Sequence, residues 1–246
     1  MSSTASSSSV TMPMPRLLWF LTLFYAVFIV LASWFSPWFV RLFGIDVNAG
    51  DILFPLSYLL SNVITEVYGY KNTRRVIWYG LIFYLAFMAY EQIVIHMPNP
   101  DYPTDNAVID TLLVFKPLVF LVTVVGYLIS QPLNAYCIAK LKIKWCGHYL
   151  WLRFFITSAV AIVVNTLIVA QVTVYNNIEF TTLKKPIISL WYFNIAYVLF
   201  GVFLAMLLAK WLKCYEQLDI YDTNTRFNFF KLEANYRDID NHFNAR

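Results

Sequence analysis

The sequence predicts an all-α integral membrane protein of six transmembrane helices, and three observations carry that prediction. Hydrophobic residues make up 60% of the 246-residue chain and charged ones only 13%, with a mean hydropathy of +0.60. Ordinary soluble domains carry about 25% charged residues. Several apolar stretches reach the roughly 20 residues that a helix needs to cross the hydrocarbon core. Lysine and arginine gather in alternate connecting segments, as they do in a chain that passes back and forth through a bilayer.

Residues 1–15 are rich in serine and lack both a basic leader and a small-residue cleavage site; they read as a disordered cytosolic tail rather than a secretory signal. Residues 16–213 form the membrane domain, with clear spans expected at 17–40, 76–95, 117–140, 150–175 and 187–209. A sixth, 52–70, is shorter and more polar, and Pro55 near its start is tolerated there because first-turn N–H groups lack helical partners anyway. The connection 96–116 is proline-rich and acidic. Residues 214–246 form a polar, Asn-rich cytosolic tail without an apolar run long enough for a second domain.

If all six segments cross, one side carries ten basic residues: Arg16, Lys71, Arg74, Arg75, Lys140, Lys142, Lys144, Arg153, Lys210 and Lys213. The other carries four, Arg41, Lys116, Lys184 and Lys185. The richer side is cytoplasmic, and both termini lie with it. The count does not settle whether 52–70 crosses, because only Arg16 and Arg41 would change places.

Cys137, Cys146 and Cys214 have no metal-ligand spacing, and His96, His148 and His242 are isolated; no metal and no cofactor is expected. The chain has no phosphate-cradling Gly-x-x-x-x-Gly-Lys loop, no His-Glu-x-x-His and no Gly-x-Ser-x-Gly elbow. It is not expected to be an enzyme. Carrying a solute is the commonest reason for a small polytopic protein to bury polar groups.

Those groups come in helical pairs. Asn62 and Glu66, four residues apart, share one helix face flanked by Thr65, and Gln131 and Asn134 flank Pro132. Asn165, Gln171, Asn194 and Tyr197 add polar atoms from the last two spans. An amide presents a donor beside an acceptor, which matches the edge of a base or lactam, and Phe54, Tyr58, Tyr127, Trp151 and Phe193 offer stacking faces. Membrane amides also bond helix to helix, at about 0.6 kcal/mol on average, with no ligand involved. An acid inside a span has stronger functional implications, and the alternative for Glu66 is an interfacial ion pair with Lys71 or Arg74.

The run Phe54-Pro55-Leu56-Ser57-Tyr58, followed by Thr65-Glu66-Val67-Tyr68-Gly69-Tyr70-Lys71 and Arg74-Arg75-Val76-Ile77-Trp78, resembles the signature of the queuosine precursor transporters, also called vitamin uptake transporters. Gln131, Asn134-Ala135-Tyr136, Ala139-Lys140-Leu141-Lys142, Leu150-Trp151-Leu152-Arg153 and Ser158 extend the resemblance. It implies a six-helix bacterial inner-membrane importer of 7-deazaguanines (7-cyano-7-deazaguanine, 7-aminomethyl-7-deazaguanine, in some members queuine) that serves tRNA modification without binding nucleic acid. It also implies a fold similar to the substrate-binding subunits of energy-coupling-factor transporters. Two other readings keep that fold: a binding subunit served by a separate ATPase, and a carrier of another planar heterocycle.

With that substrate, Glu66 is the expected reader of the two donors on the Watson–Crick edge. Asn62, Gln131, Asn134 and Asn165 then supply further polar contacts, and Tyr58 or Trp151 stacks. Arg153 pairs with Glu66 or gates the exit, whereas Arg74 and Arg75 anchor a helix end. Many members carry aspartate where this chain has Asn62 and Asn165, which leaves Glu66 as the acid for any proton coupling. Lys142, assigned to a cytoplasmic loop, is expected to tolerate Lys142→Gln. The expected partners are the deazaguanine, the bilayer, and a second copy of the chain in a homodimer, although aromatic lipid faces serve a monomer equally well.

Overall fold

The computed structural model describes residues 15–36, 38–42, 44–98, 100, 117–175, 180–223 and 225–243, with backbone alone at 39, 45–46, 117, 170–175, 180–191 and 238. The serine-rich start and almost all of the acidic connection lie outside the described residues. The order is α1 (Leu18–Trp34), β1 (Phe39–Leu42), β2 (Ile45–Asn48), α2 (Gly50–Tyr68), α3 (Tyr70–Ile95), α4 (Pro117–Lys144), α5 (Leu150–Tyr175) and α6 (Phe180–Glu216). Among the described residues there are six α-helices, four of them long and apolar enough to cross a membrane.

Helix α1 stops short of the expected 17–40. A proline at 37 cannot donate and disfavours helical geometry in the residue before it. The chain instead makes a small antiparallel hairpin, pairing Phe39 with Asn48 and Val40 with Val47. Asn48 accepts from the Gly50 N–H at 2.8 Å and donates to the Ser36 carbonyl, folding the chain directly into α2. The other differences are extensions: α3 begins at Tyr70, α4 reaches Lys144, and α6 runs over Phe180–Glu216. Helix α5 coincides with the expected 150–175.

Contacts along the helices fix an up-and-down bundle. The start of α2 lies against the end of α1, where a Cβ on Gly50 would overlap the Ala32 carbonyl. The end of α2 lies beside Glu216, which accepts from the Arg16 and Leu17 N–H groups at 2.9 and 2.6 Å and from the Tyr68 hydroxyl at 3.0 Å. A carboxylate from the last residue of α6 thereby satisfies open amides at the start of α1 and complements its dipole. Helix α2 therefore runs antiparallel to α1 along its length.

Helix α2 touches all five other helices. Every residue from Ser57 to Tyr68 is buried. The other long helices turn most of their surface outward, exposing Trp19, Phe24, Ile82, Phe83, Phe200 and Phe203 among others. A helix enclosed by protein can carry polar groups that a lipid-facing one cannot. This explains why α2 is too polar to count among the four apolar spans.

Between α2 and α3 stands a single residue, Gly69, at φ 80 and ψ 168. That region is essentially reserved for glycine. A Cβ there would also lie 2.7 Å from the Tyr236 ring and 2.8 Å from Ile220 Cγ2. Gly69→Ala is expected to destabilise the fold by at least about 1–3 kcal/mol. A thermal melt in detergent checks this, and an unchanged midpoint would count against it.

The expected polar tail is no loose appendage. Residues 217–223 and 225–243 lie across the ends of α2, α3, α4 and α6, where Lys and Arg are concentrated; we call this the basic end. The Ile220 N–H bonds the Val67 carbonyl at 3.3 Å, and Leu218 and Ile220 join the hydrophobic core. Arg74 and Arg75 anchor the tail to α3 through the carbonyls of Asn228, Glu233 and Leu232.

Candidate functional site

The polar stripe of α2 is built from residues four apart, Tyr58, Asn62 and Glu66, all fully buried or nearly so. Each rung has partners on neighbouring helices. Lowest, at the basic end, Glu66 takes a forked pair from Arg153 on α5: Nη1 to Oε2 at 2.6 Å and Nη2 to Oε1 at 3.1 Å. Lys213 on α6 reaches Glu66 Oε1 at 2.6 Å. Lys142 on α4 stands 3.9 Å from the same oxygen. Asp219 in the tail is bound by Lys142 at 2.7 Å and Lys213 at 2.8 Å. Three cations and two carboxylates thus tie α2, α4, α5, α6 and the tail together.

Such a cluster persists under burial only because the charges nearly balance and the remaining protons are bonded. Lys142 donates additionally to the Glu66 carbonyl at 2.5 Å and to the Ile220 carbonyl at 2.7 Å. The Arg153 Nε and Nη2 groups reach the His148 and Gly147 carbonyls at 3.0 and 3.1 Å. The expected Glu66–Arg153 pair is present, whereas the alternative ion pair with Lys71 or Arg74 is not: those two residues bond tail carbonyls instead. The expectation for Lys142 is corrected. It is a buried member of α4, which continues past 140 because Lys142 points inward to carboxylates while Lys144 stays exposed.

One turn further in, Asn62 donates to Ser158 Oγ at 2.9 Å and to the Phe154 carbonyl at 3.3 Å. At the next level Tyr58 donates to Ser130 Oγ at 2.8 Å, Asn134 donates to the Tyr58 carbonyl at 3.1 Å, and Gln131 donates to Ser57 Oγ at 2.8 Å. These partners fix how each amide is turned. A carbonyl can only accept, and the Ser57 proton is committed to the Phe54 carbonyl at 2.6 Å. The amide nitrogens must therefore donate, which leaves the oxygens facing elsewhere.

Gln131 Oε1 and Asn134 Oδ1 are buried without a hydrogen-bond partner among the described residues, as are Asn194 Oδ1 and Ser61 Oγ. Asn62 Oδ1 has only Thr157 at 3.4 Å, a hydroxyl whose single proton sits better on the Arg153 carbonyl at 2.9 Å. An unmet buried acceptor costs about 1–3 kcal/mol. Gln131 and Asn134, both bonded to α2, thus leave their amide oxygens without donors, and the Asn62 oxygen has only a long contact.

The structure brings together Tyr58, Asn62, Glu66, Gln131, Asn134 and Arg153. Asn165 is apart from them, half-buried against Gly126 on the α4–α5 contact, where a Cβ would meet its amide oxygen at 2.7 Å. Trp151 is not brought in either: it is 49% exposed on the outer face of α5, so the expected stacking role is corrected. Its position two residues before Arg153 puts it on a different side of the helix. Lys213, Asp219, Ser57, Ser130 and Thr157 complete the arrangement, and nothing in their sequence spacing marked them.

Asp219 lies outside the spans, and its titration follows from its neighbours. Burial pushes the carboxyl up, but the Lys142 and Lys213 ammonium groups outweigh it and hold the group below the ordinary aspartate value. A carboxyl depressed in the folded state contributes stability that is complete above its ordinary value and lost as pH falls through the depressed one. Tail docking is therefore expected to be constant from neutral pH down to about 4 and to weaken only below that. Limited proteolysis of the tail across that range checks it; release between pH 7 and 5 would contradict it.

Comparison with known proteins places this geometry in context. The family model described as "Putative vitamin uptake transporter" matches residues 48–212, from the end of the hairpin through nearly all of α6. A curated protein of Bacillus subtilis (strain 168) named "Probable queuosine precursor transporter" is 25% identical over 134 residues, which is 54% of this chain and 58% of that protein. The matched stretch is thus a little over half of that relative's length. No solved structure matches.

Proposed function

The chain belongs to the vitamin uptake transporter family, and from that premise we propose that this multi-pass membrane protein imports 7-deazaguanine precursors of queuosine. The name of the Bacillus relative supports that substrate class. The observation that carries the proposal is the pair of amide oxygens at Gln131 and Asn134, buried without partners among the described residues, with that of Asn62 met only by the long Thr157 contact. A 7-deazaguanine supplies them: its Watson–Crick edge offers the ring N–H and the exocyclic amine, and its pyrrole ring offers another N–H. The Tyr58 ring, against Phe54 at 5.3 Å, provides an aromatic face. Both Glu66 oxygens are engaged by cations, so the acid organises the base of the site and the amides read the ligand.

Orientation follows the positive-inside logic. The basic end faces the cytoplasm of a bacterial cell, both termini lie there, and all six helices cross the inner membrane.

The test is the queuosine content of tRNA in a bacterial host unable to make deazaguanines and lacking its own importer. The host expresses this chain and is fed each precursor in turn at low concentration. Restoration by one precursor names the substrate. No restoration, with the protein shown in the membrane, would overturn the proposal unless a co-expressed ATPase module rescued it. Replacing both open amides, Gln131→Met with Asn134→Leu, is expected to weaken binding about tenfold or more, from the loss of two neutral hydrogen bonds at about 0.5–1.5 kcal/mol each. Unchanged affinity in purified protein would remove both residues from the site.

A further inference from the structure

The stripe Tyr58, Asn62, Glu66 leads toward the basic end, and there the chain folds back against it. Residues 218–222 lie directly over Glu66. Leu218 and Ile220 are buried, with Ile220 bonded through its N–H to Val67 and through its carbonyl to Lys142. Asp222 accepts from the Tyr70 N–H at 2.8 Å and from the Tyr236 hydroxyl at 2.6 Å, fastening the segment over the α2–α3 turn. The helices around Glu66 are held to one another by the Glu66–Arg153 pair, which involves no tail residue. The tail is joined to them covalently only through Gln217, a non-glycine residue in the left-handed region at φ 56 that ends α6. Residues at an element's end are where hinges form.

The charge cluster is divided in the same way. Lys142 faces two carboxylates, Asp219 of the tail at 2.7 Å and Glu66 of the bundle at 3.9 Å, and Lys213 contacts both at 2.8 and 2.6 Å. If the tail lifts, both ammonium groups keep Glu66 as a partner and neither is stranded. The carbonyls freed on tail and bundle would then face water.

We propose that residues 218–222 are the inner gate of the transport path and that Asp219 is its latch, exchanged for Glu66 alone when the gate opens. The inference rests on the transport reading of the same site. It supplies a regulation that reading lacks: release to the cytoplasm requires the tail to leave while the helix-to-helix ion pair stays.

The test uses the full chain in membrane vesicles, with Cys137, Cys146 and Cys214 replaced by serine and Ser61→Cys as a reporter, buried on α2 beside Asn62. A membrane-impermeant maleimide is applied from the tail side, so no substrate is needed and the result is independent of the transport reading. Asp219→Asn is expected to speed labelling about tenfold or more, because a buried ion-pair latch is lost. Equal rates would overturn the proposal. General unfolding would also speed labelling, so the reverse variant carries equal weight. Val67→Cys with Ile220→Cys, adjacent through their backbone hydrogen bond, is oxidised to hold the tail down. Labelling is then expected to stay slow. Accumulation of 7-cyano-7-deazaguanine is expected to stop and to return on reduction, while binding from the far side persists. Wild-type accumulation in the locked form would show the tail to be a fixed clamp and overturn the gate.

Discussion

Glu66→Gln is expected to destabilise the protein by about 3–5 kcal/mol, the range for breaking a buried ion pair by removing one partner. Read from sequence alone, the substitution removes a pair of charge-assisted bonds to a ligand, at about 1.5–3 kcal/mol of binding. The structure moves the effect. Glu66 is the one carboxylate that meets cations from α4, α5 and α6 at once. Without it Arg153 loses its only carboxylate partner among the described residues and remains fully buried. The expected result is a thermal midpoint lowered by several degrees in detergent. Adding Arg153→Met should recover part of the loss, because removing both charges leaves neither unpaired. A Glu66→Gln protein that melts like wild type but binds ligand weakly would restore the role of direct reader.

Lys142→Gln is expected to be nearly as damaging, again about 3–5 kcal/mol. The ammonium is buried and serves Asp219, the Glu66 carbonyl and the Ile220 carbonyl. A glutamine is too short and uncharged to reach them all, so the tail should become protease-sensitive as well as the fold less stable. Lys144→Gln, two residues on and exposed, is the control, expected within about 0.5 kcal/mol of wild type. Equal behaviour of the two variants would mean that Lys142 is not buried in the membrane-inserted protein.

Much of the site was legible in the sequence, and the limits of that reading have a physical origin. Asn62 and Glu66 stood out because polar groups within an apolar stretch need an explanation, and their spacing put them on one face. Gln131 and Asn134 followed by the same logic. Lys142 did not, because three alternate lysines at a helix end look alike until the direction of each side chain is known. Trp151 was expected to stack because an aromatic suits either a ligand or the membrane interface, and composition does not distinguish the two. Asp219 is an ordinary tail aspartate until the chain folds back.

The sequence by itself determined the solvent, the all-helical class and the helix that carries the polar groups, because hydrocarbon imposes length and apolarity on each span locally. Its motifs also determined the family. Only the tertiary structure decided that α2 is the centre of the bundle, that Glu66 is saturated by Arg153 and Lys213, that the Gln131 and Asn134 oxygens are left open, and that the tail packs across the basic end. Those outcomes depend on pairing residues far apart in the chain, as Glu66 with Lys213, 147 positions on. No local rule of hydropathy or spacing encodes which distant charge a buried acid will meet.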